Sequence, residues 1–314
     1  MRISAVLAAA LLTACAPKMM PPSDTDASVP DDAGVVIDAG PTCGCETWGN
    51  GRNDGLFTSP LNELSGLVAS RRHSGIFYAH NDSGDTARFF AVSQMAELRE
   101  TFELDGGTAN DWEDIGYGPC PSGQCVFIGD TGDNAHVRTD YAIYRVPEPA
   151  TITGGTIAVP WERFRFEYPG GVQKNCEAMF VHPVTGQVYV ITKEDFGVSE
   201  VYKLPLPMDS ASQATLQLVT RLTIPSVTDR PLTAADVNPC GTAVLMRMYN
   251  RLVEFRLPEG ETDFEKIFTV APVNVSVANE AQGEAVAYGP DGRTYFTSSE
   301  KLVDDPPLFE YRCR

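Results

Sequence analysis

The stretch Asp111–Asn134, DWEDIGYGPCPSGQCVFIGDTGDN, sets the reading of the whole chain. Asp111, Glu113 and Asp114 crowd around Trp112, a turn lies between Cys120 and Cys125, and the apolar run Val126-Phe127-Ile128 leads into a second loop of acids and glycines. Pro119 falls six residues after Glu113, and Asp130 seventeen after it. The layout returns at CEAMFVHPVTGQVYVITKE, where Glu177 is followed at the same offsets by Pro183 and Glu194. It returns again at GEAVAYGPDGRTYFTSSE, with Glu284, Pro290 and, one residue early, Glu300. An acid, a short strand, a turn, a second strand and another acid make one unit, and a unit that recurs with fixed spacing is a structural repeat.

Outward from this stretch, the preceding unit starts at Glu63-Leu64-Ser65-Gly66-Leu67 and carries the loop Asn81–Asp85. It ends where Phe102 and Leu104 alternate with Thr101 and Glu103, the period of a half-buried strand. The unit begun at Asp111 closes on Phe164, Phe166 and Tyr168. The next closes on Leu216, Leu218, Leu222 and Ile224, and a fourth runs from about Thr233 to Phe264, Phe268 and Val270. The last, from Glu284, shows three strands only, so its fourth is expected from the segment near Leu56-Phe57, an exchange that closes a ring. Four strands in about 50 residues describe a propeller blade. The expected fold class is therefore all-β: a β-propeller of four-stranded blades, five by this reading, with a sixth in the long connections as the alternative. A β-sandwich has similar hairpins but no reason to repeat acids at fixed offsets.

The first strand of each propeller blade lines the central channel. Glu63, Glu113, Glu177 and Glu284 are then expected to start four inner strands and ring one mouth. The fourth unit departs: aligned on Pro239 it offers Thr233, with Asp236 three residues on, while Asp114 adds a carboxylate beside Glu113. Like charges gathered this way repel unless a cation or basic partners neutralise them. Hard oxygen donors suit Ca²⁺, which is the expected cofactor. The competing account is that these acids cap strand ends or pair with nearby arginines. Asp82 and Asp85 in DSGDT, and Asp130, Asp133 and Asn134 in GDTGDN, look like fragments of a calcium loop, although Asp and Gly are also common in turns. Asp82 and Asp130 join the candidate ligands. Arg88, Arg138, Lys193, Arg247 and Lys301 lie near the ends of second strands, placed either to hold an anion or to neutralise the acids. His80 and His136 share the acidic loops, and a structural role is the simpler one for both. Trp112 is expected to pack between blades. Nucleophile-elbow, zinc-protease, P-loop and dinucleotide glycine patterns are absent from the sequence.

Formal charge is −18 over 314 residues, which disfavours a phosphate-backbone partner and so excludes nucleic acid. At the N-terminus, MRISAVLAAALLTAC has one Arg before an apolar run too short to span a bilayer but right for a signal sequence. Leu12-Thr13-Ala14-Cys15 resembles the bacterial lipobox, which implies cleavage before Cys15 and lipidation of its thiol. Ala16 after it resembles lipoproteins sorted to an outer membrane. The expected organisation is a signal peptide over 1–14, lipidated Cys15 with a disordered Pro/Asp/Ala tether over 15–42, and a propeller over 43–314. The protein is thus read as exported and membrane-anchored, in a compartment that permits disulfides. Cys120 and Cys125 flank a turn and suit a local bridge, and Cys313 with Cys43 or Cys45 would staple the chain ends. Cys176 and Cys240 complete an odd set of seven, so one thiol is left over.

The stretches ELSGLVAS, HNDSGD, DWEDIGYGP, IGDTGDN, IYRVPEP, LTAADVNPCG with RMYN, and GEAVAYGPDG resemble a group of secreted bacterial propeller proteins and cover most of 60–300. More distantly, the acid-start blades look like calcium-dependent β-propeller phytases and their esterase-like relatives. That likeness implies a fold and calcium, and no active-site pattern transfers residue by residue. Two functions follow as expectations. One is a lipid-anchored module that binds a small anionic ligand or an envelope protein around a calcium centre. The other is a calcium-dependent phosphoester hydrolase.

Overall fold

The computed structural model describes residues 43–194, 198–222, 224, 231–280, 282–301 and 303–314. The signal peptide, Cys15 and the tether lie outside the described residues.

Five antiparallel sheets stand around a common channel, and the chain is a five-bladed β-propeller. The inner strands are Leu64–Ala69, Trp112–Cys120, Cys176–Val181, Leu232–Val237 and Gly283–Tyr288, one per blade. Blade five is completed from the other end of the chain: Arg52–Leu56 pairs antiparallel with Pro307–Arg312, as the missing fourth strand required. Blades one and two each gain a fifth, parallel edge strand, Thr156–Ala158 and Ala214–Thr215, which covers otherwise open backbone groups.

The alternation of apolar residues along each strand buries one hydrophobic cluster at each blade interface. Trp112, Ile115 and Tyr78 lie between blades one and two, and Tyr168, Met179 and Phe127 between two and three. Phe180, Met246 and Phe268 lie between three and four, Leu245, Tyr295 and Trp48 between four and five, and Phe77, Phe296 and Leu67 between five and one. Trp112 packs between blades as expected.

Among the described residues three disulfides form, Cys43–Cys240, Cys45–Cys313 and Cys120–Cys125, and Cys176 is a buried free thiol. Cys45–Cys313 staples the two ends across a separation of 268 residues, and Cys43 reaches blade four instead.

Two local expectations need correction. Phe264 and Phe268 belong to a 3-10 helix, Phe264–Thr269, whose entry is capped by Asp263 accepting from the Glu265 amide. Their four-residue spacing is helical, and the outer strand of blade four is Val273–Val275. In blade three, a bulge between Val201 and Tyr202 shifts the register of the outer strand Gln217–Leu222. Leu218 therefore faces solvent while Leu216 and Leu222 are buried.

Candidate functional site

Each inner strand begins with a β-bulge, where one or two residues have no cross-strand partner. The bulged residues are Ser65, Glu113 with Asp114, Glu177, Thr233 and Glu284. A bulge turns its side chain out of the sheet's alternation, here toward the channel mouth. It also corrects the blade-one assignment: Ser65, not Glu63, is the counterpart of Glu177, and Glu63 lies just before its strand. Where the bulge carries a hydroxyl, that group latches onto the next blade. Ser65 Oγ donates to the Glu113 carbonyl at 2.5 Å, and Thr233 Oγ1 to the Gly283 carbonyl at 2.7 Å.

At this mouth Glu63, Asp82, Asp111, Glu113, Glu177, Glu284 and Glu300 gather, with Lys193 within reach of Asp82, Glu113, Glu177 and Glu284. Asp82, Asp111 and Glu113 offer oxygens that all lie within 4.8 Å of one another. The residues differ in how they are satisfied. Glu177 accepts from Asn175 Nδ2 at 3.0 Å and forms an ion pair with Lys193, whose ammonium also donates to Tyr249 Oη at 2.9 Å. Glu300 and Glu63 sit carboxyl to carboxyl, and Gln282 Nε2 donates to Glu300 and, at 2.9 Å, to Glu284. Asp82 accepts one amide, from Ser83. Glu113 is 4% exposed, and its carboxylate receives no hydrogen bond or ion pair from the described residues.

Burial first, and then the neighbouring negative charges, raise the proton affinity of this group. Asp111 is pushed up to about 6, with Asp82 the main neighbour, and Glu300 to about 7 through Glu63. Glu284 rises to about 8 through Glu177, and Glu113 lies well above the usual carboxylate range through Glu177, Asp82 and Asp111. The loop that cradles Glu113 is pinned by Arg138, which donates to the Gly132 carbonyl at 2.6 Å and to Asp130 at 2.7 Å. A Cβ on Gly132 would overlap both Glu113 Oε1 and the Asp111 carboxylate, so only glycine leaves that space open.

The other candidate ligands do different work. Asp114 lies in the throat below the mouth, where it accepts from the amides of Ile115 (2.8 Å), Met179 (2.7 Å) and Ala235 (2.9 Å), on blades two, three and four. Asp236 accepts from Val237 at 2.8 Å and from Tyr288 of blade five at 2.7 Å. Asp130 is held by Arg138. Asp133 accepts from the amides of Val137 and Arg138 and from Tyr141 Oη, so both its oxygens are engaged close by in the chain. His80 is fully buried against Trp112, and burial pushes it down to about 4, which keeps it neutral.

All five candidate anion-binding side chains face carboxylates: Arg88 with Asp85, Arg138 with Asp130 and Asp140, Lys193 with Glu177, Arg247 with Glu280, and Lys301 with Asp305. Arg247 is fully buried and out of reach of a ligand. Asp111 is the residue that spacing missed, whereas Glu300, marked by the repeat as its second acid, was not counted among the ligands. Asp111 stands in the opening stretch itself, but its loop position precedes the strand and so falls outside the repeated acid.

No family model matches the chain, and no curated protein matches it. Among solved structures it is similar to a protein of Bacteroides uniformis ATCC 8492 provisionally assigned as a 6-phosphogluconolactonase. The identity is 14% over 82% of this chain and 74% of the other, with a TM-score of 0.38. A likeness at that level carries nothing about activity, and the fold rests on the strand pairing of the chain itself.

Proposed function

We propose that this is an exported, lipid-anchored propeller whose acidic channel mouth binds a divalent cation, and that it serves as a binding module for a ligand or an envelope partner. Ca²⁺ is the cation whose preference for several carboxylate and carbonyl oxygens suits the donors at hand. Asp82, Asp111 and Glu113 would hold it, and it would offset the repulsion among the carboxylates behind them. The observation that carries this reading is Glu113: a buried carboxylate, with two others in reach and no donor among the described residues, is costly unless a cation joins it. The anchor rests on Leu12-Thr13-Ala14-Cys15.

Binding is preferred to phosphoester hydrolysis because every cation considered as a phosphate clamp already faces a carboxylate. Calorimetric titration of the purified protein with Ca²⁺ at pH 8 tests the proposal. One saturable site is expected, weakened at least tenfold by Glu113→Gln, and a flat trace overturns the cation centre. Calcium-dependent turnover of an aryl phosphate, abolished by chelator and by Glu113→Gln, would favour the hydrolase.

A further inference from the structure

The bulged residue of an inner strand is followed six positions later by Pro119, Pro183, Pro239 and Pro290 in blades two to five. In blade one the same count from Ser65 arrives at Arg71. The inner strands run away from the acidic mouth, so Arg71 stands at the opposite end of the channel. One blade in five thus puts a guanidinium where the others put an apolar ring.

The Arg71 side chain is half-buried and packs over the Tyr117 ring, 5.4 Å from guanidinium to centroid. It forms no ion pair or side-chain hydrogen bond with any described residue. The nearby carboxylates are engaged elsewhere. Asp236 takes its two amides, and Glu148 accepts from Ser70 Oγ at 2.6 Å, Tyr78 Oη at 3.2 Å and Tyr117 Oη at 2.5 Å. His182, the next titratable group within reach of the Arg71 charge, is held in the neutral range by burial and by that charge. Its Nδ1 already accepts from the Val184 and Thr185 amides, so it offers the guanidinium no acceptor there. Stacking on Tyr117 uses one face of the guanidinium and leaves its N–H edge for an acceptor. Arg71 lines a cavity of about 390 Å³ together with Arg72, Tyr117, Gln124, Pro147 and Glu148.

We propose that this cavity is an oxyanion site that receives the carboxylate or phosphate group of a small molecule, with Arg71 as its principal partner and Arg72 at the rim. The planar fork of N–H donors matches both groups, and the cavity has room for a small organic body beside the charged end. The site lies at the other mouth from the proposed cation centre and does not depend on it.

The test is a thermal melt of the purified protein in chelator, titrated with sodium phosphate or sodium acetate at ionic strength held constant with chloride. A saturating rise in melting temperature is expected with one or both anions, and the anion that saturates at lower concentration identifies the group recognised. Arg71→Gln should weaken that response at least tenfold and Arg71→Lys less, while Arg312→Gln, an exposed control, should leave it intact. In parallel, the Nε–H resonance of Arg71, assigned by its loss in Arg71→Lys, should shift along the same titration, a readout that does not require the Gln variant to fold. A melting response unchanged in Arg71→Gln, no response to either anion, or an Arg71 resonance that stays still would each overturn the site.

Discussion

Glu113 and Asp114 are consecutive in the chain and both buried, yet they stand in regions built on opposite terms. In the throat, Asp114 and Asp236 are each met by main-chain amides from neighbouring blades, so the carboxylates stitch the ring together. At the mouth, Asp111 and Glu113 meet other carboxylates and no donor among the described residues. The sequence offers the same acids in both places. Counting donors separates an acid that holds the fold from one that awaits a partner.

The largest test of that difference is Asp114→Ala. It strands amides on three blades and should lower the unfolding free energy by about 4 kcal/mol, measured by denaturant titration. A loss as small as that of a surface substitution would mean that the throat is not stitched by this residue.

Next is pH. Folding raises the affinity of Asp111, Glu300 and Glu284 for protons, to about 6, 7 and 8. The stability that protonation contributes is therefore complete below the unfolded range, near pH 4, and is lost as pH rises through 6 to 8. In chelator, the melting temperature should fall between pH 5 and pH 8, and saturating Ca²⁺ should recover most of the fall. Asp236, pushed to about 7 by burial, adds to the same slope but lies in the throat, so its share should persist with calcium.

Smaller still, Glu113→Gln removes a charge that no donor among the described residues meets, so in chelator it should stabilise the protein by about 1 kcal/mol while weakening calcium binding. Destabilisation instead would show that Glu113 has a structural partner. The smallest effect is expected for Lys301→Gln. Its half-exposed pair with Asp305 should change stability by less than about 0.5 kcal/mol and leave cation binding unaltered.

How far the sequence could be read follows the same division. Blade count, ring closure and the four antiparallel strands of each blade were legible because acids and prolines repeat at fixed offsets and because blade five lacks a strand, whereas the parallel edge strands of blades one and two were not. Glu63 was misplaced because a bulge in each inner strand shifts the register, and spacing alone does not reveal where the extra residue falls. The four-residue interval between Phe264 and Phe268 was open to a helical reading, but the preceding blades suggested a strand. Asp111 was visible and passed over, because its importance lies in its closeness to Asp82 and Glu113, which the chain order does not show. Arg71 was not legible as a departure from proline, because the count from Glu63 falls on Ala69 and only the bulge at Ser65 moves it to Arg71.

The closing strand and its two covalent bridges also fix how the ring bears a load. Tension on the chain ahead of Cys43 would pass first through Cys43–Cys240 into blade four and through Cys45–Cys313 into the last strand, before reaching Arg52–Leu56. The hydrogen bonds that shut the ring are thereby shielded from peeling. Reducing conditions would remove that shield, leaving the seam to open one bond at a time under the same pull.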